Sequence, residues 1–196
     1  MSKATRYIVL TMVLGGLGCI LLCGGFVAFF IFAKVDEEVT SQDKELLVNL
    51  QDVAPYTYST LNFNPDLVKL SKVYHLANFQ ELTLEYAYGS QSMVVRVYQD
   101  SDAYSVQDDY ETEWSMALFG QGDELSLKER SGYTCCHASR FGDIMYGEER
   151  LGTLFVAKQG RISYSVFITG FYIEDPRDME HIFERPLQAI KKGYGL

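Results

Sequence analysis

Twenty-seven consecutive residues, Tyr7 to Ala33 (YIVLTMVLGGLGCILLCGGFVAFFIFA), carry no charge at all. A helix needs about 20 apolar residues to cross the hydrocarbon core of a bilayer, and a longer one can tilt. Lys3 and Arg6 precede the run, and Lys34 with Asp36, Glu37 and Glu38 follows it. Positive charge on a short N-terminal flank holds that end in the cytoplasm. The reading is therefore a single-pass signal anchor in the cell membrane. It divides the chain into a cytoplasmic tail (1–6), a transmembrane helix (7–33), a juxtamembrane helix and linker (34–62) and an extracytoplasmic domain (63–196). A cleaved signal peptide normally has a shorter apolar core and a small-residue cleavage site. Lipidation at Cys19 or Cys23 is a further alternative, but neither cysteine has both the small residue before it and the Leu three before it.

Thr11, Gly15, Cys19 and Cys23 recur every four residues and share one face of that helix. Small residues at this spacing let two membrane helices approach closely. The partners expected are membrane lipid through the anchor and a protein partner, with a homodimer through this helix as one form of it. All 26 Asp and Glu lie beyond residue 33, and the chain as a whole has a net charge of −9. A domain so acidic is repelled by phosphate backbones, so nucleic acid is excluded as a partner.

Beyond the anchor the apolar pattern changes period several times. Val35 to Val53 has a sparse helical stripe (Val39, Leu46, Leu47, Leu50, Val53) and reads as a charged helix. PDLVKLSKVYHLA, starting at Pro65, places Leu67, Leu70, Tyr74 and Ala77 on another helical face. Leu82 to Tyr88 alternates as a strand does, GSQS turns the chain, and Met93 to Gln99 returns antiparallel to it. Ala103, Val106, Tyr110, Trp114 and Leu118 form a helical face ending at Gly120. Leu151 to Ala157 and Arg161 to Thr169 form a hairpin around Lys158–Gly160. Asp175 caps a final helix opened by Pro176, with Met179, Ile182, Phe183, Leu187 and Ile190 as its buried stripe; Pro186 should kink this helix or split it in two. The expected fold class is α+β: one N-terminal transmembrane helix, then one extracytoplasmic domain with a mostly antiparallel sheet flanked by helices.

The most reactive-looking chemistry is in SGYTCCHASRFG, where Cys135 and Cys136 precede His137. Cys19 and Cys23 lie in the apolar run, so the only disulfide available within the domain is the vicinal one. Adjacent Cα atoms are about 3.8 Å apart, shorter than the usual disulfide span of about 4.4–6.8 Å. In an extended strand the two side chains point to opposite faces and no bridge forms. Two unbridged thiols, a vicinal disulfide, a bridge to another chain, and a metal or nucleophile role all stay open. Zinc would need two more ligands, and His75 and His181 fall in segments read as helices. DSDAYSVQDDYE (Asp100 to Glu111) partly matches a calcium loop, but Ser105 replaces the turn glycine, and a helix cap explains it better. Fourteen tyrosines give either an aromatic surface or the two faces of a sheet.

With no assembled catalytic constellation, the reading is a membrane-anchored, non-enzymatic binding or tethering module that needs no cofactor and no metal. The alternative is a thiol-based redox or sensing protein using Cys135, Cys136 and His137.

Overall fold

The computed structural model describes residues 34–75, 79–100, 102–117 and 124–194. In chain order its elements are β1 (Lys34–Glu37), α1 (Ser41–Leu46), α2 (Leu50–Val53), β2 (Val68–His75), β3 (Phe79–Tyr88), β4 (Gln91–Asp100) and α3 (Ala103–Ser115). They continue with β5 (Leu125–Arg130), β6 (Ala138–Tyr146), β7 (Glu149–Gln159), β8 (Ile162–Thr169), α4 (Met179–Ile182) and α5 (Glu184–Tyr194). The strands form one eight-stranded sheet in the order β1-β2-β3-β4-β8-β7-β6-β5, and every neighbouring pair is antiparallel.

Side-chain alternation divides the sheet into two faces. On the first, Leu82, Leu84, Tyr86, Met93, Val95, Val97, Phe141, Phe155, Tyr164, Val166 and Ile168 form a continuous buried layer. The short helices α1, α2, α4 and α5 lie over it, bringing Leu47, Val48, Leu50, Val53, Met179, Ile182, Phe183 and Ile190. On the second face α3 covers β4, β7 and β8, and Tyr110 and Trp114 meet Leu154, Val156 and Phe167 there. Gly142 makes room for this helix, because a Cβ at that position would come within 2.8 Å of the Trp114 ring. Arg140 then lies over the Trp114 ring at 4.0 Å and pairs with Glu129 at 2.9 Å.

Three of the first-face helices, α1, α2 and α5, are held by polar devices. Thr40 and Asp43 make a reciprocal capping box on α1, and Asn49 and Asp52 make one on α2. Arg185 of α5 donates to the carbonyls of Lys44, Glu45 and Leu47 and to the Asp52 carboxylate at 2.6–3.1 Å. It thereby satisfies the open C-terminal carbonyls of α1 and ties α5 to both preceding helices. The Val48 N–H, between α1 and α2, donates to the buried Tyr164 hydroxyl at 2.7 Å. At the opposite end Asp143 pairs with Arg150 at 2.6 Å and Arg130 at 3.4 Å. Both arginines also donate to the Glu174 carbonyl, fastening the segment after β8 to the sheet.

The structure corrects the expected fold and placement. The described residues form a sheet-dominated fold built on one antiparallel sheet, and the α+β assignment is replaced by that description. Residues 68–75, read as a helical face, are strand β2. Leu70 and Tyr74 are four apart, so they satisfy both a helical stripe and a period-2 alternation. The ladder to β3, with Leu70 opposite Leu84, decides between the two. The helix expected over Val35 to Val53 is an exposed edge strand followed by two capped turns of helix. The C-terminal helix is split at Phe183, three residues before Pro186.

Among the described residues no helix is long and apolar enough to cross a membrane. The longest, α3, has 13 residues, about 20 Å at 1.5 Å per residue, against a hydrocarbon core of about 30 Å. The single-pass topology, the cell-membrane location and the extracytoplasmic side assigned to the domain are therefore withdrawn. The span at 7–33, with its face of Thr11, Gly15, Cys19 and Cys23, lies outside the described residues.

Two predictions follow from the packing. Tyr164→Phe leaves the buried Val48 N–H without an acceptor, so chemical denaturation should show a loss of about 1–3 kcal/mol. An unchanged midpoint would mean that Val48 finds another acceptor. Asp109, half-buried on α3, is the second case. Burial, and then the carboxylates of Asp100, Glu113, Asp108 and Glu81, push its carboxyl up to about 6. A carboxyl raised above its ordinary 3.8 adds stability that is fully present below that value and lost as pH rises through about 6. Asp109→Asn should therefore stabilise the protein near pH 8 by about 1 kcal/mol, a figure reduced for solvent screening of a half-exposed group. Thermal melts at several pH values should show that gain fading toward pH 4; a gain independent of pH would contradict the assignment.

Candidate functional site

Cys135 and Cys136 lie in the loop joining β5 to β6. The sequence reading allowed this segment, Tyr133 to Ser139, to be extended. In the structure strand pairing begins only at Ala138. The reason is local. The Cys135 N–H donates to Ser139 Oγ at 3.0 Å, closing the loop on itself. The His137 N–H donates to the Lys158 carbonyl at 3.0 Å, which starts the ladder with β7. Between those two bonds the chain must reverse, and Cys136 takes φ = +66° to do so. It is the only non-glycine residue with positive φ among the described residues. For an L-residue this left-handed conformation costs on the order of 1–2 kcal/mol.

The reversal defeats the alternation that would have sent the two side chains to opposite faces. Cys136 Sγ instead donates to Cys135 Sγ at 2.8 Å. Both thiols are free and half-buried. They pack against the edge of the first-face core, where the Tyr133 ring lies 6.0 Å from that of Phe155. The two thiols are electrostatically unequal. The hydrogen bond from Cys136 holds the Cys135 thiol below its ordinary range; burial opposes this, and bonds with Tyr133 and Ser139 and the charge of Lys191 reinforce it. Cys136 is pushed up, first by the same shared hydrogen bond and then by burial. Cys135 is thus the more acidic thiol of the pair and Cys136 the less acidic.

His137 does not join them. Its Nδ1 accepts from the Gly160 N–H at 3.2 Å, so the ring braces the β7–β8 turn rather than serving either thiol as a base. His75 lies in β2, stacked on Phe79 at 4.0 Å and 3.3 Å from Glu81; His181 stacks on Tyr56. Among the described residues no group of three or more His, Cys, Asp or Glu converges to hold a metal ion. In the acidic stretch Asp100 to Glu111, the Asp102 carboxylate accepts from the N–H groups of Tyr104 and Ser105 and caps α3.

Sequence reasoning missed Tyr133, Ser139 and Lys191. Tyr133 and Ser139 flank the cysteines at short range, so a loop with a self-closing hydroxyl was within reach of inspection. Lys191 arrives from α5, and no local pattern signals it.

Glycine tolerates φ near +60° without steric cost. Cys136→Gly should therefore be more stable than Cys136→Ala by about 1 kcal/mol, measured by denaturant unfolding. Equal stabilities would show that residue 136 is not held in the left-handed region.

Set against known proteins, the chain matches no family model, no curated protein and no solved structure.

Proposed function

We propose that the protein is a thiol-based redox-responsive module whose working element is the Cys135–Cys136 pair. The observation that carries this reading is the positive φ of Cys136, which sets the two sulfurs 2.8 Å apart on one side of the chain. A non-glycine residue in a strained conformation, placed where it aligns two reactive groups, is a reasoned pointer to function. Closing the pair to a disulfide of about 2.05 Å requires a sulfur movement of less than roughly 1 Å.

The chemistry is thiol–disulfide exchange with a low-molecular-weight disulfide of the glutathione class. The Cys135 thiolate attacks one sulfur of the acceptor, forming a mixed disulfide and releasing one acceptor thiolate. Cys136 then gives up its proton and attacks Cys135 Sγ, releasing the second acceptor thiolate. Two electrons and two protons leave the cysteine pair, and the acceptor ends as two thiols. The Tyr133 hydroxyl and Lys191 favour the thiolate needed in the first step. The binding or tethering reading has exposed Tyr58 and Phe63 in its favour, but no feature identifies what would cover them.

The test is titration of the full chain with mixtures of reduced and oxidised glutathione, followed by alkylation and intact mass. Cys135 and Cys136 should lose their labels together and regain them on reduction. Cys136→Ser should stop at a mixed disulfide on Cys135. Full labelling of both cysteines at every glutathione ratio would overturn the proposal.

A further inference from the structure

We infer that Cys135 and Cys136 also form a chelating site for trivalent organoarsenic compounds. The inference rests on the same paired thiols as the redox reading, but not on any electron transfer by them. A structural zinc ion takes four ligands, and among the described residues no third His, Cys, Asp or Glu converges on the pair. A linear two-coordinate ion holds its sulfurs twice a bond length apart, roughly 4.6 Å for bonds near 2.3 Å. Sulfurs at 2.8 Å would have to separate by roughly 1.8 Å for that. A pyramidal centre with near-right angles and bonds of the same length needs them only roughly 3.3 Å apart. A small outward rotation of either side chain reaches that distance.

Trivalent arsenic bearing one organic group meets both conditions. It is soft and prefers thiolate. It is pyramidal, and it needs only two protein ligands because its own carbon substituent occupies the third position. The condensation balances without an oxidant: a dihydroxy-organoarsine and two thiols give one cyclic dithioarsinite and two waters. Two arsenic–oxygen bonds break and two arsenic–sulfur bonds form. The two thiol protons leave with the hydroxyl groups, and arsenic stays trivalent throughout. The half-buried position leaves an approach from solvent. The left-handed turn at Cys136 keeps both sulfurs on one side before the ligand arrives, so little ordering cost remains to be met on binding.

Phenylarsine oxide is the probe, added to the reduced full chain carrying Cys19→Ser and Cys23→Ser so that only the loop thiols remain. Intact mass should rise by one phenylarsenic unit less two hydrogens. The adduct should survive excess 2-mercaptoethanol and be stripped by a small dithiol. Removing either loop thiol should weaken retention by roughly 10²–10⁴-fold, the usual worth of a second tethered contact. Cys136→Gly, which keeps the turn without strain, serves as the variant in which misfolding is not an issue. An adduct that persists in the Cys135→Ser, Cys136→Ser double variant, or one that the monothiol removes from the parent, would overturn the inference. The same preparation exposed to oxidised glutathione separates the two ideas. Disulfide formation without arsenical capture overturns chelation alone. Capture without disulfide formation overturns the redox reading and leaves chelation standing.

Discussion

Phe183 stands where α4 stops and α5 begins, fully buried and edge-on to Phe155 and Tyr164, with ring centroids 5.2 and 4.7 Å away. The first face of the sheet is apolar from β3 to β6, and helices of four to eleven residues cannot cover it unless something sets their positions. An aromatic ring driven between two others does so, because edge-to-face pairs add to the area they bury and fix an orientation. Ile182 and Ile190 are buried in the same core cluster as Phe183. Arg185, two residues on, reaches the open carbonyls of α1. The hydrophobic contact chooses the place, and the guanidinium locks it with directional bonds.

The reactive loop depends on this arrangement as well. Phe155 touches Phe183 on one side and Tyr133 on the other, so the layer that seats the C-terminal helices also backs the segment leading to the cysteines. Lys191 is brought to Cys135 only because α5 is docked. The dithiol is thus the joint product of a local event, the reversal between Ser139 and the β7 ladder, and a distant one, the docking of a helix.

Legibility in the sequence followed the range of the interactions. The β3–β4 and β7–β8 hairpins were readable because their turns and alternation are local, and so was a cap at Ser101 or Asp102, which the structure places on Asp102. Strand β2 was misread because Leu70 and Tyr74 fit two periods, and only its pairing with Leu84 resolves them. The Thr40/Asp43 and Asn49/Asp52 capping boxes were visible as patterns and would have divided the supposed long helix into two short ones. At the site, adjacency raised the question but could not answer it. Whether two neighbouring side chains converge depends on one backbone dihedral, and that dihedral is set by the hydrogen-bond demands of His137 and Ser139. His137 looked like a base because it is close in sequence; in space its ring nitrogen is already committed to Gly160.

The strand order carries a further consequence, for how the molecule assembles. β1 to β4 form one up-and-down run and β5 to β8 another, and each grows by pairing neighbours along the chain. The two halves meet along one seam, β4 against β8, where Met93 faces Ile168 and Val95 faces Val166. Apart from β1–β2, which bracket α1 and α2, contacts within each half close short loops and cost little chain entropy, whereas the seam joins residues far apart in sequence. Refolding therefore has its natural bottleneck at this seam. Until it zips, each half exposes an unpaired apolar strand edge, the kind of edge that recruits other chains. The finished sheet instead ends at β1 and β5, where Lys34, Asp36, Glu37, Lys128, Glu129 and Arg130 place charge along both open borders.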